Sequence, residues 1–209
     1  MVRSQVRGIK GGQDRKARYH HGDLRESLIA ATQALVVERG AEHFTLADAC
    51  RFAGVSTAAP YKHFRDKQEI LEIVCQRGFH TLRQVMVERA AAAGEGSLAA
   101  LLDIGRTYVA FAQANPNLFR LMFGQNSDLK SSGIVDQAGT GCFTYVIEQV
   151  ALFSSRKRQK ADPRMLALKL WTFVHGAACL LIDKDYEKVA PDLDIDALLD
   201  AATPGLLGQ

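Results

Sequence analysis

The sequence lacks the cysteine and hydrophobic patterns that mark several classes of protein. Its four cysteines form no Cys-x-x-Cys pair, which argues against a zinc site and against a disulfide framework. The amino terminus carries charges but not the apolar segment of a signal peptide. No uncharged apolar run approaches the roughly 18 residues that a membrane span needs. We therefore expect a cytoplasmic protein.

Enzyme motifs are missing as well. We find no nucleophile elbow, no glycine-rich phosphate loop and no set of four metal ligands. We therefore expect no catalytic residue, no metal and no cofactor. Each cysteine lies in an apolar helical pattern and is expected to be a small buried residue. A redox sensor is the alternative, since thiol reactivity depends on environment. The cysteines are Cys50, Cys75, Cys142 and Cys179.

The charge that is present is distributed unevenly. The chain has 26 Lys and Arg against 23 Asp and Glu, a net charge of +3. Residues 1–68 carry a net charge of +5, and residues 69–209 carry −2. A basic first part joined to a mildly acidic second part suits a protein whose first part meets phosphates.

One segment, residues 45–67, predicts two short helices joined by a tight turn; it reads TLADACRFAGVSTAAPYKHFRDK. The helices would span residues 45–53 and 57–63, with Gly54 in the turn, where a positive φ favours glycine. Small and apolar residues at helical spacing would form the inner face of the first helix: Leu46, Ala49, Cys50 and Ala53. This arrangement is the helix-turn-helix, whose second helix enters the major groove of DNA.

The capping residues agree with this interpretation. Thr45 can cap the first helix, and Ser56 or Thr57 can cap the second. Pro60 lies inside the second helix, where its missing N–H is tolerated only in the first turn, so we expect a short helix that starts late. An ordinary helix pair in a core is the alternative, but turn, caps and small residues together favour the helix-turn-helix.

The leading end of the second helix, which opens at Ser56, would approach the bases, so Ser56, Thr57 and Ala58 are candidate DNA contacts. Thr57 can donate, accept or offer a methyl group to thymine, and Ala58 permits close approach. Tyr61 and Lys62 lie one turn further along, within reach of phosphates. Lys67 begins the following helix, where amide dipoles and an ammonium group together favour an anion.

The whole pattern predicts an all-α chain in three parts. We expect a flexible basic arm over residues 1–21, a helix-turn-helix domain over 22–68, and a helical ligand-binding and dimerisation domain over 69–209. This last domain would begin with a connecting helix over 69–93. The sequence leaves open whether the arm touches DNA or only aids solubility. Further helices are predicted over residues 23–40, 97–114, 117–123, 134–154, 163–182 and 194–203.

Large apolar side chains in the second half form a candidate ligand site. Plain core packing is the alternative for each of them, but as a set they can line an apolar cavity with few polar anchors. His175, with Arg106 or Tyr108, is the candidate anchor. The candidate set is Phe111, Phe119, Met122, Phe123, Phe143, Trp171 and His175. The apolar run 177–182 predicts a dimer interface built from this helix and the one before it, or the last.

The residues resemble the tetracycline-repressor (TetR/AcrR) family of bacterial transcription regulators. The match is strongest over residues 24–71, in LRESLIAATQALVVERG, FTLADACRFAGVS and YKHFRDKQEIL. Trp171 and His175-Gly176 look like the tryptophan-histidine-glycine pattern of one C-terminal subgroup. The resemblance implies that four residues hold the DNA backbone, with residues 57, 58 and 62 nearer the bases. The four are Thr45, Tyr61, His63 and Lys67.

Together these patterns predict a ligand-responsive, DNA-binding regulator. One recognition helix reads too few bases for genomic specificity, so we expect a homodimer on a near-palindromic operator. A small apolar effector would release it, which makes it a repressor. An enzyme and a non-specific DNA-coating protein are the alternatives.

Overall fold

The computed structural model describes residues 21–124 and 127–209, and its elements in these residues are all helical. The predicted all-α class is therefore confirmed. The predicted basic arm lies outside the described residues except for its last position. The elements are α1 His21–Arg39, α2 Leu46–Ala53, a 3₁₀ turn Pro60–Lys62, α3 Lys67–Ala93, α4 Leu98–Ala114, α5 Pro116–Phe123, α6 Ser127–Lys130, α7 Gly133–Arg156, α8 Pro163–Ile182, α9 Asp185–Val189 and α10 Ile195–Leu206.

The first 46 described residues, 21–66, form a small head in which α1 packs against α2 and the start of α3. Thr45 caps α2 as predicted: its hydroxyl accepts the Asp48 N–H at 3.2 Å, and its own N–H donates to the Asp48 carboxylate at 2.7 Å. Gly54 ends α2 with φ +68°, so the predicted glycine turn is also confirmed. Buried apolar side chains, among them Leu28, Leu35, Cys50, Phe64 and Ile70, fill the head's core.

The predicted second helix, residues 57–63, is not a continuous α-helix. Residues 57–59 form a turn, and only the 3₁₀ turn Pro60–Lys62 follows. Pro60 has no N–H to donate to the Ser56 carbonyl, which instead accepts the Ala59 N–H at 3.0 Å. The predicted cap is wrong for the same reason. The 3₁₀ turn starts after Ala59, and no side chain caps it.

A single helix joins the head to the rest of the chain. α3 runs unbroken from Lys67 to Ala93, and the Asp66 carboxylate caps it by accepting the Glu69 N–H at 2.9 Å. α3 then packs against both α4 and α7, while α8 packs against the same two helices on the other side. These four helices form the body of the molecule, which we define as residues 98–207 together with the second half of α3.

The shorter helices complete the body. α5 packs against α1, α3 and α4 where head and body meet, and α10 packs against α4 and α8. α6 lies in a predicted loop, and α9 was not predicted, because both are short and lack an apolar period. α10 continues past the predicted end at residue 203, through Pro204. Pro204 has no N–H, so the carbonyl of Asp200 lacks its usual helical donor. Asp200 is an exposed residue.

α8 is long and apolar enough, by length and composition alone, to cross a membrane. It nevertheless contains Arg164 and Lys169, and it packs against four other helices of the body. A core helix of a bundle passes the same test, so this one helix is weak evidence for a membrane span.

The cysteines are all free thiols. Cys50, Cys75 and Cys142 are buried as expected, and Cys179 is half-buried. Burial raises the pKa of the Cys75 thiol to about 12 and that of Cys142 to about 11. Both are therefore protonated and unreactive near neutral pH.

Candidate functional site

The outer surface of the head gathers four of the residues predicted to meet DNA. Thr57 and Ala58 on the turn, and Tyr61 and Lys62 on the 3₁₀ turn, are all exposed. Tyr61 has 68% of its surface exposed, although it is a large aromatic residue. Within the described residues these four side chains are therefore accessible to a partner.

Thr45 lies at the start of α2, close in sequence to this surface, and its hydroxyl is already engaged. It donates to the Asp48 carboxylate at 2.6 Å while accepting the Asp48 N–H. Hydrogen bonds from the Thr45 side chain and backbone lower the pKa of Asp48. A phosphate contact from Thr45 would have to share or replace these bonds, and it stays a prediction.

Lys67 has a role that the sequence did not reveal. Its ammonium group donates to the carbonyl oxygens of Ala41 at 2.6 Å and Phe44 at 2.7 Å, and lies 4.2 Å from the centre of the Phe44 ring. Burial lowers the pKa of Lys67. The lysine thus ties the loop before α2 to the start of α3 through two of its three N–H groups, and its contact with a phosphate stays a prediction.

The two remaining predicted residues differ in exposure. Ser56 is exposed, whereas His63 is half-buried, with its ring centre 6.4 Å from that of Phe64. The structure therefore places His63 partly inside the head, behind the surface formed by the 3₁₀ turn. Its contact with the DNA backbone stays a prediction.

The body contains a cavity of about 470 Å³ between its helices. Its wall is largely apolar, with aromatic rings from α3, α4, α5, α7 and α8: Phe79, Tyr108, Phe123, Phe143 and Trp171. Such a volume and lining are typical of a site for a small, mostly apolar molecule. Four polar side chains complete the wall: Asp136, Thr140, Arg164 and Thr203.

Four of the seven predicted ligand residues lie in this wall: Met122, Phe123, Phe143 and Trp171. Phe119 is buried behind it, stacked on the His175 ring with centres 5.5 Å apart. Phe111 packs at the edge of the core. The sequence therefore indicated the right helices, but its spacing did not separate side chains that face the cavity from those one layer behind.

The candidate polar anchors form a connected network. The Tyr108 hydroxyl lies 2.8 Å from His175 Nδ1 and accepts a hydrogen bond from Trp171 Nε1 at 3.3 Å. His175 Nε2 lies 3.7 Å from the Cys179 sulfur. Burial lowers the pKa of His175 and raises that of Tyr108, so both groups are neutral at pH 7.

Arg106, the other candidate anchor, lies elsewhere. It pairs with Asp103 on its own helix at 3.1 Å and with Asp196 and Asp200 on α10. It therefore links α4 to α10. Tyr108, two residues on, lies in the cavity wall.

Sequence reasoning missed the charged residues of the wall, Asp136 and Arg164. Both lie in the first turns of amphipathic helices, where charged residues ordinarily face water. Both are in fact exposed, at the mouth of the cavity. Only the packing of α7 beside α8 brings them to one opening, and no local sequence signal reports that packing.

α5 connects the cavity to the head. Met122 lines the cavity and lies against Gly78 of α3, where an added Cβ would come within 2.6 Å of the Met122 sulfur. At the other end of α5, the Asn117 side chain donates to the Val37 carbonyl of α1 at 3.0 Å. One short helix thus contacts the cavity, the joining helix and the head.

A second surface of the body is apolar and outward-facing. Met165 and Leu180 of α8 are 53% and 41% exposed. Between them Gly176 faces open space, since no atom lies within 4 Å of a Cβ built there. Beside α8, α10 exposes small residues at four-residue spacing: Ala197, Ala201 and Gly205. Helices with small residues on one face can approach a partner closely.

Comparison with known families agrees with both halves of the chain. Residues 28–74 match the family described as "Bacterial regulatory proteins, tetR family". Residues 101–206 match the family described as "Tetracyclin repressor-like, C-terminal domain". The first match covers residues 28–66 of the head and the start of α3, and the second covers most of the body.

Solved structures share the fold over nearly the whole chain. A protein with unknown function from Rhodococcus sp. RHA1 is 27% identical, with a TM-score of 0.79 over 92% of this chain and 97% of that one. The fatty acid degradation regulator FadR from Bacillus halodurans is 14% identical, with a TM-score of 0.68 over 88% of this chain and 94% of its own. FadR from Bacillus subtilis, solved in complex with stearoyl-CoA, is also 14% identical, with a TM-score of 0.67 over 87% and 97%.

Proposed function

Since this chain belongs to the TetR family of bacterial transcription regulators, which bind DNA, we propose that it is a repressor released from a near-palindromic operator by a small apolar ligand. The observation that carries the proposal is the position of α5, which contacts the cavity at Met122 and the head at Val37. Occupancy of the cavity and placement of the head therefore share one element. The Trp171 and His175-Gly176 pattern leads us to place the chain in the tryptophan-histidine-glycine subgroup.

DNA reading is assigned to the exposed surface of the head. Thr57 and Ala58 would approach base edges, while Tyr61 and Lys62 would contact phosphates. The compact turn that replaces the expected helix projects these four side chains without a long helix. Lys67 would contact the backbone with its one remaining N–H, while its other two hold the head together.

Dimerisation is assigned to the apolar face of α8 together with α10. Few residues form this face: Met165 and Leu180 flank Gly176, and the small residues of α10 lie alongside. Two copies related by a two-fold axis would bury these surfaces against each other. The dimer would present two heads to successive major grooves of one operator.

Ligand release would act through α5 and α3. A molecule that fills the cavity pushes on Met122 and Phe123 of α5 and on Phe79 of α3. Because Gly78 leaves no free space between α3 and α5, this push moves α3 and the head that it carries. The separation of the two heads in the dimer then no longer matches the operator, which is all that release requires.

The alternatives are less well supported. The family consists of transcription regulators, which sets the enzyme hypothesis aside. A protein that coats DNA without sequence preference needs no ligand cavity, whereas the body of this chain contains a cavity lined in part by α5, which also contacts the head.

Genome-wide selection of bound DNA fragments tests the proposal. We expect the selected fragments to share one near-palindromic motif. Lipophilic compounds that bind the cavity should change the fluorescence of Trp171, the only tryptophan, and should reduce the recovery of fragments with this motif. Thr57→Ala should change the selected bases more than the overall affinity. Equal competition by random duplex at physiological salt would contradict sequence-specific binding, and an unchanged motif with Thr57→Ala would remove this residue from base reading.

A further inference from the structure

We propose, building on the dimeric repressor function above, that one turn of α5, residues 117–120, is a bridge that sets the separation of the two heads. Asn117 joins this bridge to α1 in the head, and Arg120 joins it to α8, the helix assigned to the dimer face. Neither side chain lines the cavity, so both are positioning residues that act through the helices they connect.

Arg120 binds the carboxyl-terminal end of α8. Its guanidinium donates to the Asp183 carboxylate at 2.7 Å and to the Ile182 carbonyl at 3.3 Å. Ile182 is the last residue of α8, so its carbonyl has no donor within the helix. A cation is favourable at this end of a helix, and the last turn of α8 contains no basic residue of its own. Arg120 of α5 therefore supplies the cation that α8 lacks.

Asn117 binds the carboxyl-terminal end of α1 in a similar way. Its side-chain N–H donates to the Val37 carbonyl at 3.0 Å. Because α1 ends at Arg39, the Val37 carbonyl is also one of the four that a helix leaves without an internal donor. A Cβ built at Gly40, just beyond α1, would lie 3.9 Å from the Asn117 side chain. The Asn117 amide therefore lies directly against the end of α1.

The two contacts come from one side of α5. Asn117 and Arg120 are three residues apart, which places their side chains on the same face of a helix. The side chains that hold α5 in the core are apolar and buried: Leu118, Phe119, Leu121 and Met122. A helix packed this closely moves as one piece, so its two polar contacts move together.

Aromatic contacts hold α5 beside α8 as well. The Phe119 ring is stacked on the His175 ring, and the Phe123 ring lies edge-on to it with centres 5.2 Å apart. His175 and Asp183 are eight residues apart, so α5 contacts α8 over about two turns. A displacement of either helix is therefore passed to the other.

In the proposed dimer, each head is then held at two places. α3 carries the head directly, and the bridge ties the end of α1 to the end of α8. Since α8 lies in the dimer face, the bridge sets the position of each head relative to the two-fold axis. With the bridge broken, α3 alone would position the heads, and they would sample a wider range of separations.

The Arg120 ion pair can be removed without unfolding the protein. The Arg120 and Asp183 side chains are 49% and 53% exposed, and exposed ion pairs contribute little to folding. The variant Arg120→Met keeps the aliphatic part of the side chain and removes both contacts with α8. Its effect should therefore appear in the placement of the heads, and urea denaturation should show a folded protein.

A series of operator duplexes tests the inference. The operator from the fragment selection is compared with duplexes whose half-sites lie one base pair closer together or further apart. The readout is the ratio of the affinity for the original spacing to that for the altered spacings. Arg120→Met should lower this ratio by about threefold, as expected for the loss of one exposed ion pair. The affinity for a single half-site should stay the same, because it does not depend on the separation of the heads.

Breaking the other end of the bridge should have the same result. Asn117→Leu removes the hydrogen bond to α1 and should lower the ratio by about the same factor. The double variant with Arg120→Met should lower the ratio no further, because a bridge is broken once either end is released. Two contacts that acted independently would instead give additive losses.

Two further variants examine the ion pair itself. Asp183→Asn removes the charge but keeps an acceptor oxygen, so it should lower the ratio less than Arg120→Met does. Lys188→Met is the matched control, because Lys188 is an exposed cation just beyond α8 that pairs with Asp185 on its own helix at 2.6 Å. This control should leave the ratio unchanged.

The outcomes separate the bridge from the function on which it rests. A ratio that Arg120→Met and Asp183→Asn leave unchanged, or additive losses in the double variant, overturns the bridge and leaves the repressor function standing. A lower half-site affinity with Arg120→Met also overturns it, since Arg120 would then act on the head itself. If the original protein binds all spacings equally, the dimeric repressor function fails, and the bridge fails with it.

Discussion

The head and the body place their functional side chains in opposite ways. In the head, the residues assigned to DNA lie within one run, 45–67, and most of them face outward from a small filled core. In the body, the cavity wall is drawn from residues between Phe79 and Thr203, on six helices. The proposed DNA contacts of the head lie on a packed surface, whereas the proposed ligand site of the body lies in a space that packing leaves empty.

Because of this difference, the two regions should respond differently to amino-acid substitutions. A substitution on the head surface would alter a proposed contact with DNA and leave the core intact. A substitution in the body would change either the cavity or the helix contacts that we propose transmit its occupancy, because most wall residues also belong to the core.

The largest effect is expected from breaking the dimer face. Gly176→Glu places a charge on the outward face of α8, where a Cβ meets no atom of its own chain. The monomer should stay folded, but the dimer should dissociate and operator affinity should fall by about a hundredfold or more, since two linked heads bind far more tightly than one. Sedimentation and operator titration measure both.

Gly141→Glu is the matched control, because Gly141 of α7 also has open space at its Cβ and lies in the groove beside Arg83. Dissociation caused by the Gly141 variant but not by the Gly176 variant would assign the interface to α7 and contradict the role of α8 and α10.

Lys62 in the head and Lys67 at the start of α3 are expected to contribute differently to folding stability. Lys67→Met removes the hydrogen bonds to the Ala41 and Phe44 carbonyls, and the free energy of unfolding should fall by about 2–3 kcal/mol. Lys62→Met, on the exposed 3₁₀ turn, should leave it nearly unchanged. Urea denaturation measures the difference. Equal stability of the two variants would show that the Lys67 contacts do not hold the head together.

Lys62 should instead affect the salt dependence of DNA binding. If it contacts one phosphate, Lys62→Met reduces the slope of log K against log salt concentration by about 0.9 per head. Lys160→Met is the control, since Lys160 is exposed in the loop between α7 and α8, beyond the far end of α3. A slope that Lys62→Met leaves intact would remove this residue from the phosphate contacts.

The smallest effect is a pH dependence of stability in the body. Burial lowers the pKa of His175 below 6.5, so the unfolded chain takes up a proton there before the folded chain does. The contribution of this site is complete above pH 6.5 and is lost as the pH falls from 6.5 through the folded pKa. His175→Gln should flatten the fall in urea midpoint between pH 7.5 and 5.5. Identical pH profiles of the variant and the original protein would contradict a neutral, buried His175.

Much of the head was predictable because its signals are local. The Thr45 cap, the Gly54 turn and the apolar face of α2 each depend on residues a few positions apart. The prediction failed where one residue overrode the pattern: Pro60 turns the expected recognition helix into a 3₁₀ turn. The internal bonds of Lys67 were missed because their acceptors are backbone carbonyls more than twenty residues away.

The body was predictable as helices but not as a site. Helical periodicity gave α4, α7 and α8 nearly their full lengths. It could not distinguish Phe123, which lines the cavity, from Phe119, one turn earlier and buried behind the wall. Both face inward, and only the packing of neighbouring helices decides which one meets the empty space.

The central claim is that ligand in the cavity and operator on the heads oppose each other through α3 and α5. The direct measurement has two parts. The affinity of one ligand is measured by Trp171 fluorescence, first for the free protein and then for the protein bound to its operator. The affinity for the operator is measured with and without the ligand. The account predicts that both affinities fall by the same factor, on the order of five-fold or more. A ligand that binds the cavity equally well in the free and operator-bound protein would contradict it.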